Sequence, residues 1–196
     1  MRGAGTSTAS NPNPGVTRRK LVIISVLIEH PTEGLILFET GGGEDYPEVW
    51  GAPLNDIFAR VDYEKDHELT NQIKKTGHDI KDVKAVIMGH LHLDHAGGLE
   101  HFKGTDVPIY VHEKELKHAY FSVATKTDIG VYLPKDLGFD LNFKVSGCLL
   151  PFQLCSHADA RDNIRRGMAH FWRLRLASTF AILLVTLLAS RSCKST

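Results

Sequence analysis

Four side chains able to hold a metal fall within six positions of this chain: His90, His92, Asp94 and His95, with Leu91 and Leu93 between them. In an extended segment, residues two apart project to the same side. His90 and His92 can therefore grip one ion, while Asp94 and His95 face a second beside it. Imidazole and carboxylate donors suit zinc, and two ions about 3.5–4 Å apart are a recurring hydrolytic arrangement. Ala96, Gly97 and Gly98 follow at once, and the glycines let the backbone turn tightly around the ligands. A solvated histidine-rich loop is the bland alternative. It fits poorly, because the apolar run Ala85, Val86, Ile87, Met88 comes directly before, and such a run reads as a buried strand with a ligand loop at its carboxyl end.

The elements that must position this loop are legible on both sides. Residues 21–28 are rich in β-branched side chains and read as a strand; residues 31–34 form a turn and 35–38 a second strand. Residues 64–76 read as a helix, with Leu69 and Ile73 four apart and Gly77 as its stop. Residues 84–89 are the strand that delivers the ligands, 99–102 a first helical turn, 108–111 a strand and 113–123 a helix. His101, His112 and His118 lie in this stretch and read as surface or hydrogen-bonded structural histidines. The Gly41, Gly42, Gly43 loop lacks the Gly-Lys-Ser or Gly-Lys-Thr of a phosphate cradle.

At 196 residues the chain can bury one ordinary core. Its 23 basic residues balance its 23 acidic ones, so no global field draws it to nucleic acid or anionic lipid. The three cysteines, Cys148, Cys155 and Cys193, make no disulfide framework; with no secretory signal in view, a reducing, cytoplasmic setting is the expectation.

His90, His92, Asp94 and His95 at the end of a strand resemble the signature of the metallo-β-lactamase superfamily, His-x-His-x-Asp-His. The following Ala-Gly-Gly is most similar to the branch of N-acyl-homoserine-lactone lactonases and fungal lactone or lactam hydrolases. The resemblance implies an α/β fold, the first half of an αβ/βα sandwich, over about residues 20–144. It also implies two zinc ions held at those four positions, and a zinc-activated water that opens a small-molecule lactone or lactam. Asp94 would be both a ligand and the catalytic group that orients the nucleophile and shuttles its proton. Glu39, Thr40 and Gly41 stand where the family has Asp-Thr-Gly beneath the metal loop, so Glu39 is a candidate to support the ligands. Tyr46, Trp50 and Phe58 stand where that branch builds a substrate-facing wall, although ordinary packing is the preferred reading. A non-catalytic fragment and a glyoxalase II-like thioester hydrolase are the competing readings.

The resemblance stops near residue 144. The family takes a third histidine, a bridging aspartate and a last histidine from later in its fold, and this chain has no Pro-Gly-His; His157 sits at about the right separation and His170 lies further on. Composition changes at the same place, from twelve lysines and four arginines to six arginines and one lysine. Residues 1–19 thus read as a disordered lead-in, 20–144 as a partial domain and 145–196 as an unrelated basic and apolar tail. The apolar run 176–190 is short of the roughly 20 residues that span a bilayer, and a core or interfacial helix is a second reading. The favoured reading is a shifted frame or retained intron, with an isolated helix over 176–190 and no second sheet layer.

Overall fold

The computed structural model describes residues 20–46, 48–58, 60–61, 63–146 and 180–191. The strands β1 (Lys20–His30) and β2 (Gly34–Phe38) form an antiparallel hairpin that sets Val26 opposite Phe38 and His30 opposite Gly34. The turn closes because Gly34 takes a φ of +81°, which glycine adopts at little cost, and because His30 Nδ1 accepts the Glu33 N–H at 2.9 Å. The chain then crosses over through helix α1 (Leu54–Ile57), the short strand β3 (Arg60–Val61) and helix α2 (Leu69–Lys75) to strand β4 (Val83–Ile87), parallel to β2. Helix α3 (Leu93–Ala96) and a 3-10 turn, Gly97–Phe102, lead to strand β5 (Ile109–His112). Helix α4 (Glu113–Thr125) leads on to strand β6 (Phe143–Ser146), and both new strands run parallel to their neighbours.

The helix expected over residues 64–76 is shorter than its apolar spacing suggested. Glu68 is extended, with φ −65° and ψ 144°, and its carboxylate accepts from the Tyr63 hydroxyl and from Asn71. Those local bonds compete with helix, so Lys65–His67 is a 3-10 turn and α2 begins at Leu69. The helix expected over 176–190 is a strand instead, β7 (Phe180–Arg191), paired antiparallel with β1 from Lys20 to Glu29. A run this apolar, broken only by scattered Ser and Thr, carries no clear period to separate helix from strand, and the open edge of β1 offers it a ladder of hydrogen bonds. The full order is β3-β7-β1-β2-β4-β5-β6, one sheet of seven strands, so β7 widens this sheet and adds no second layer. Among the described residues no helix is long and apolar enough to cross a membrane.

The core lies between the sheet and its helices. Leu27, Leu35 and Leu37 of the hairpin meet Val83, Val86, Ile109 and Val111 of the parallel strands, closed by Leu69 and Ile73 of α2 and Ala119 of α4. Parallel strands buried on both faces favour such runs of Val, Ile and Leu. Tyr46, Trp50, Leu54, Leu93 and Leu133 form a second cluster. Leu21, Val22 and Ile24 of β1 stay exposed.

Two glycines hold the hairpin's exit against the loop after β4. Thr40 donates its N–H to the His95 carbonyl at 3.0 Å, and Gly98 donates to Gly41 at 3.3 Å. A Cβ on Gly97 would stand 2.2 Å from the Gly42 carbonyl carbon, and one on Gly98 would stand 2.2 Å from the Thr40 oxygen. Neither backbone can yield as a flexible side chain would. Gly97→Ala is therefore expected to destabilise the fold by about 1–3 kcal/mol or more in urea denaturation. An unchanged midpoint would mean that the two segments do not meet.

Asp136 is a polar outlier in this interior. It is 1 % exposed, neither carboxyl oxygen has a hydrogen-bond partner among the described residues, and Lys135 Nζ lies 3.9 Å away. Burial pushes its pKa up to about 7, against opposition from Lys135 and Lys103 and with help from Asp45 and Glu100. Unfolded, the group ionises near 3.8, so the folded state binds more protons between those values. Stability should then fall as pH climbs from about 4 to 7. Asp136→Asn is expected to flatten that slope and to be more stable than the parent chain at alkaline pH; thermal melts across the window would show an unaltered slope if the carboxyl were not the cause.

Candidate metal centre

Three neighbouring parallel strands end on the same side of the sheet, which is where open α/β sheets place their ligands. β2 runs into Glu39, β4 leads on to His90, and β5 runs into the first turn of α4, which carries Glu115. Local burial aims the loop after β4. Leu91, Leu93 and Ala96 are buried, while His90, His92, Asp94 and His95 between them remain partly open. The apolar residues anchor the backbone and leave the polar ones turned towards one another. His92 is extended and precedes α3, whose His95 and Ala96 N–H groups bond its carbonyl at 2.9 and 2.8 Å.

The four candidate ligands come together. The ring centroids of His90 and His92 are 4.6 Å apart, and those of His90 and His95 are 3.8 Å apart. Donor atoms of His90, His92 and Asp94 all lie within 4.8 Å of one another, and so do those of Glu39, His90 and His95. The grouping differs from the simple alternation read from the sequence. Asp94 joins His90 and His92, while His95 sits between Glu39 and Asp94, with its Nε2 3.6 Å from Asp94 Oδ2. The cause is α3, which replaces the extended chain at Leu93 and turns residues 94 and 95 around its axis.

Glu39 is the first buried support. It is 6 % exposed and has a φ of +61°. Its Oε1 accepts the Gly89 N–H at 2.8 Å, and its Oε2 faces His95 Nδ1 at 3.1 Å. With both carboxylate oxygens engaged, Glu39 holds the ring and leaves Nε2 towards Asp94, the arrangement by which ligating histidines are oriented. Thr40 adds a bond from its hydroxyl to the His95 carbonyl at 2.6 Å. Burial pulls the His95 pKa down, but the hydrogen bond to Glu39 and the charges of Asp94 and Glu39 outweigh it and leave it above the usual histidine value. Burial, then the neighbouring His90, hold His92 below that value. A neutral imidazole is the form that binds metal.

Glu115 and Tyr132 were not singled out by sequence reasoning. Glu115 Oε1 accepts the Leu91 N–H at 2.7 Å and the Tyr132 hydroxyl at 3.2 Å. The Tyr132 ring stands edge-on to His92, with centroids 4.7 Å apart. In the sequence Glu115 looks like any acidic residue in a first helical turn, and no local signal ties it to a loop 24 positions earlier.

Other candidates fall elsewhere. Tyr46 and Trp50 pack against each other at 3.8 Å, Trp50 meets Phe58 at 6.2 Å, and all three belong to the second core cluster. His112 accepts the Lys114 N–H as a helix cap, His118 pairs with Asp128 at 3.0 Å, and His101 lies beside Glu44 and Glu100. His157 and His170 lie outside the described residues.

The donor chemistry fits a divalent metal: imidazole and carboxylate groups converge, and one histidine is already oriented by a buried carboxylate. No curated protein matches the chain. Solved structures that it resembles include a quorum-quenching N-acyl homoserine lactone lactonase (28% identity, TM-score 0.45, covering 61% of this chain and 42% of that one). An N-acyl homoserine lactone hydrolase with the product N-hexanoyl-L-homoserine at its catalytic metal centre matches at 22% identity and a TM-score of 0.44, covering 69% of this chain and 64% of that one. A dizinc quorum-quenching lactonase matches at 18% identity and a TM-score of 0.44, covering 69% and 46%. The chain thus spans less than two thirds of the length of these structures. The family model of the metallo-beta-lactamase superfamily matches residues 20–143, more than half of the chain, with the metal loop inside them, and the chain belongs to that superfamily.

Proposed function

We propose that this chain carries the first-half ligand set of a dizinc hydrolase that opens a small lactone or lactam, and that its activity is impaired because no further ligand completes the set among the described residues. The observation that carries the reading is the convergence of His90, His92 and Asp94, with His95 against His90 and Glu39. His90 and His92 would hold one zinc, Asp94 and His95 the other. A bound zinc pair would supply a water of lowered pKa and an electrophilic pull on a carbonyl oxygen.

The chain's own groups do the rest. Glu39 fixes the His95 ring through Nδ1, so that Nε2 is the nitrogen on offer. Asp94 is less buried than Glu39, and its Oδ2 lies near His95 Nε2. That carboxylate can orient a water and hold its proton before passing it to the leaving oxygen or nitrogen. Leu91 and Leu93, both buried, anchor the backbone beneath the cluster.

The impairment follows from ligand count. Catalytic zinc usually takes three protein ligands, and with Asp94 and His95 given to the second ion no third histidine is left for His90 and His92 among the described residues. A partial domain over residues 20–144 would account for such a shortfall. Losing even an outer support costs about 10–100-fold in affinity or activity, and a lost ligand should cost more.

The test is zinc content by elemental analysis together with a panel of lactones, lactams and a glutathione thioester. The parent chain is expected to hold zinc weakly, His92→Ala to hold less, and turnover to stay near background on every substrate. Tight retention of two zincs with lactone turnover would refute the impairment, and loss of that zinc in His157→Ala would name the missing ligand. Turnover of the thioester alone would favour the glyoxalase II-like reading, and a chain that takes up no zinc at all would remove the metal reading.

A further inference from the structure

We infer that Glu115, steadied by Tyr132, is a positioning residue that sets the spacing of His90 and His92; the inference rests on the metal-site reading above. Leu91 lies between the two histidines, and its side chain is fully buried. The orientation of the peptide on its N-terminal side decides how far the two rings diverge. That peptide's N–H is not part of any ladder between strands: β4 ends at Ile87, and the acceptor for Leu91 is the Glu115 carboxylate at 2.7 Å. A bond to an ionised acceptor is about twice as strong as one between neutral groups.

The same oxygen accepts the Tyr132 hydroxyl at 3.2 Å, which stops the carboxylate from swinging out towards solvent. Burial and then Glu115 push the Tyr132 pKa up to about 12, so the phenol stays a donor. One residue earlier, the Val131 carbonyl accepts the Leu93 N–H at 2.8 Å. His92 is therefore bracketed: the N–H before it is held by Glu115, the N–H after it by Val131, and its ring rests on Tyr132. Glu115 is in neither group of possible metal ligands, which separates positioning from ligation.

An acidic residue in a first helical turn is more commonly there for the helix dipole. Here Glu113 supplies that charge and pairs with Lys117 on the surface of α4, whereas Glu115 turns towards the metal loop. Glu113→Gln is thus the built-in control.

The experiment compares the full chain with Glu115→Ala, Glu115→Gln, Tyr132→Phe and Glu113→Gln. Three quantities are read: hydrogen exchange at the Leu91 amide without metal, cobalt(II) affinity with its visible spectrum, and the urea midpoint. Glu115→Ala should speed Leu91 exchange, weaken cobalt binding about 10–100-fold and alter the spectrum. Glu115→Gln keeps an acceptor oxygen and should rescue both towards the parent; Tyr132→Phe should speed exchange less than the alanine variant; Glu113→Gln should change neither. Unchanged Leu91 exchange in Glu115→Ala would overturn the inference, as would a glutamine variant that behaves like alanine. So would cobalt loss that merely tracks a lowered urea midpoint. If Glu115→Ala does not fold, the glutamine and phenylalanine variants decide by the same exchange readout. If the parent chain takes up no cobalt, the metal reading fails, and Leu91 exchange alone decides whether Glu115 sets the loop.

Discussion

The carboxylate of Glu39 is the interaction on which the site depends. A charge at 6 % exposure is costly unless its oxygens are satisfied, and here one takes the Gly89 N–H and the other faces His95 Nδ1. To reach both, the backbone at Glu39 adopts a φ of +61°, a conformation that costs a residue with a Cβ roughly 1–2 kcal/mol. The Glu39 N–H still bonds the Ile87 carbonyl at 3.0 Å, so the β2–β4 ladder continues to the point where the strands give way to ligands. The end of the first hairpin and the start of the metal loop are thus joined by main chain and side chain together.

Much of the surrounding structure follows from that joint. With β2 and β4 locked at their ends, residues 40–43 run directly against Gly97 and Gly98, where no Cβ would fit. The Thr40 hydroxyl then closes on the His95 carbonyl. On the far side, β5 brings α4 to the loop, and the first turn of that helix reaches the Leu91 peptide. His90 to His95 is consequently held from two sides, by the Glu39 carboxylate just after β2 and the Glu115 carboxylate in the first turn of α4. The groups left open towards one another are the ones whose chemistry suits a metal.

What was legible in the sequence was whatever repeats locally. The β-branched run before Pro31 and the apolar run before Gly89 each fix a strand by its own composition, and the alternation of leucine with histidine at 90–93 marks which residues turn inward. Distant partners leave no such trace. Glu115 meets Leu91 through a strand and a turn, and nothing in its neighbours distinguishes it from Glu113. The orientation of His95 depends on a left-handed backbone at Glu39, a residue type that rarely adopts one. The tail was misread as helix because a mostly apolar run of fifteen residues satisfies helix and strand equally; what decides is the open edge of β1, a feature of the fold and not of the segment.

The most direct measurement is a zinc titration of the whole chain followed through the imidazole nitrogens by NMR. The ring nitrogens of His90, His92 and His95 are expected to shift together as zinc is added. For His95 the change should fall on Nε2, while Nδ1 keeps the signature of a protonated nitrogen hydrogen-bonded to Glu39. Shifts confined to His101, His112 or His118, or a His95 that binds through Nδ1, would contradict the ligand set and the role of Glu39.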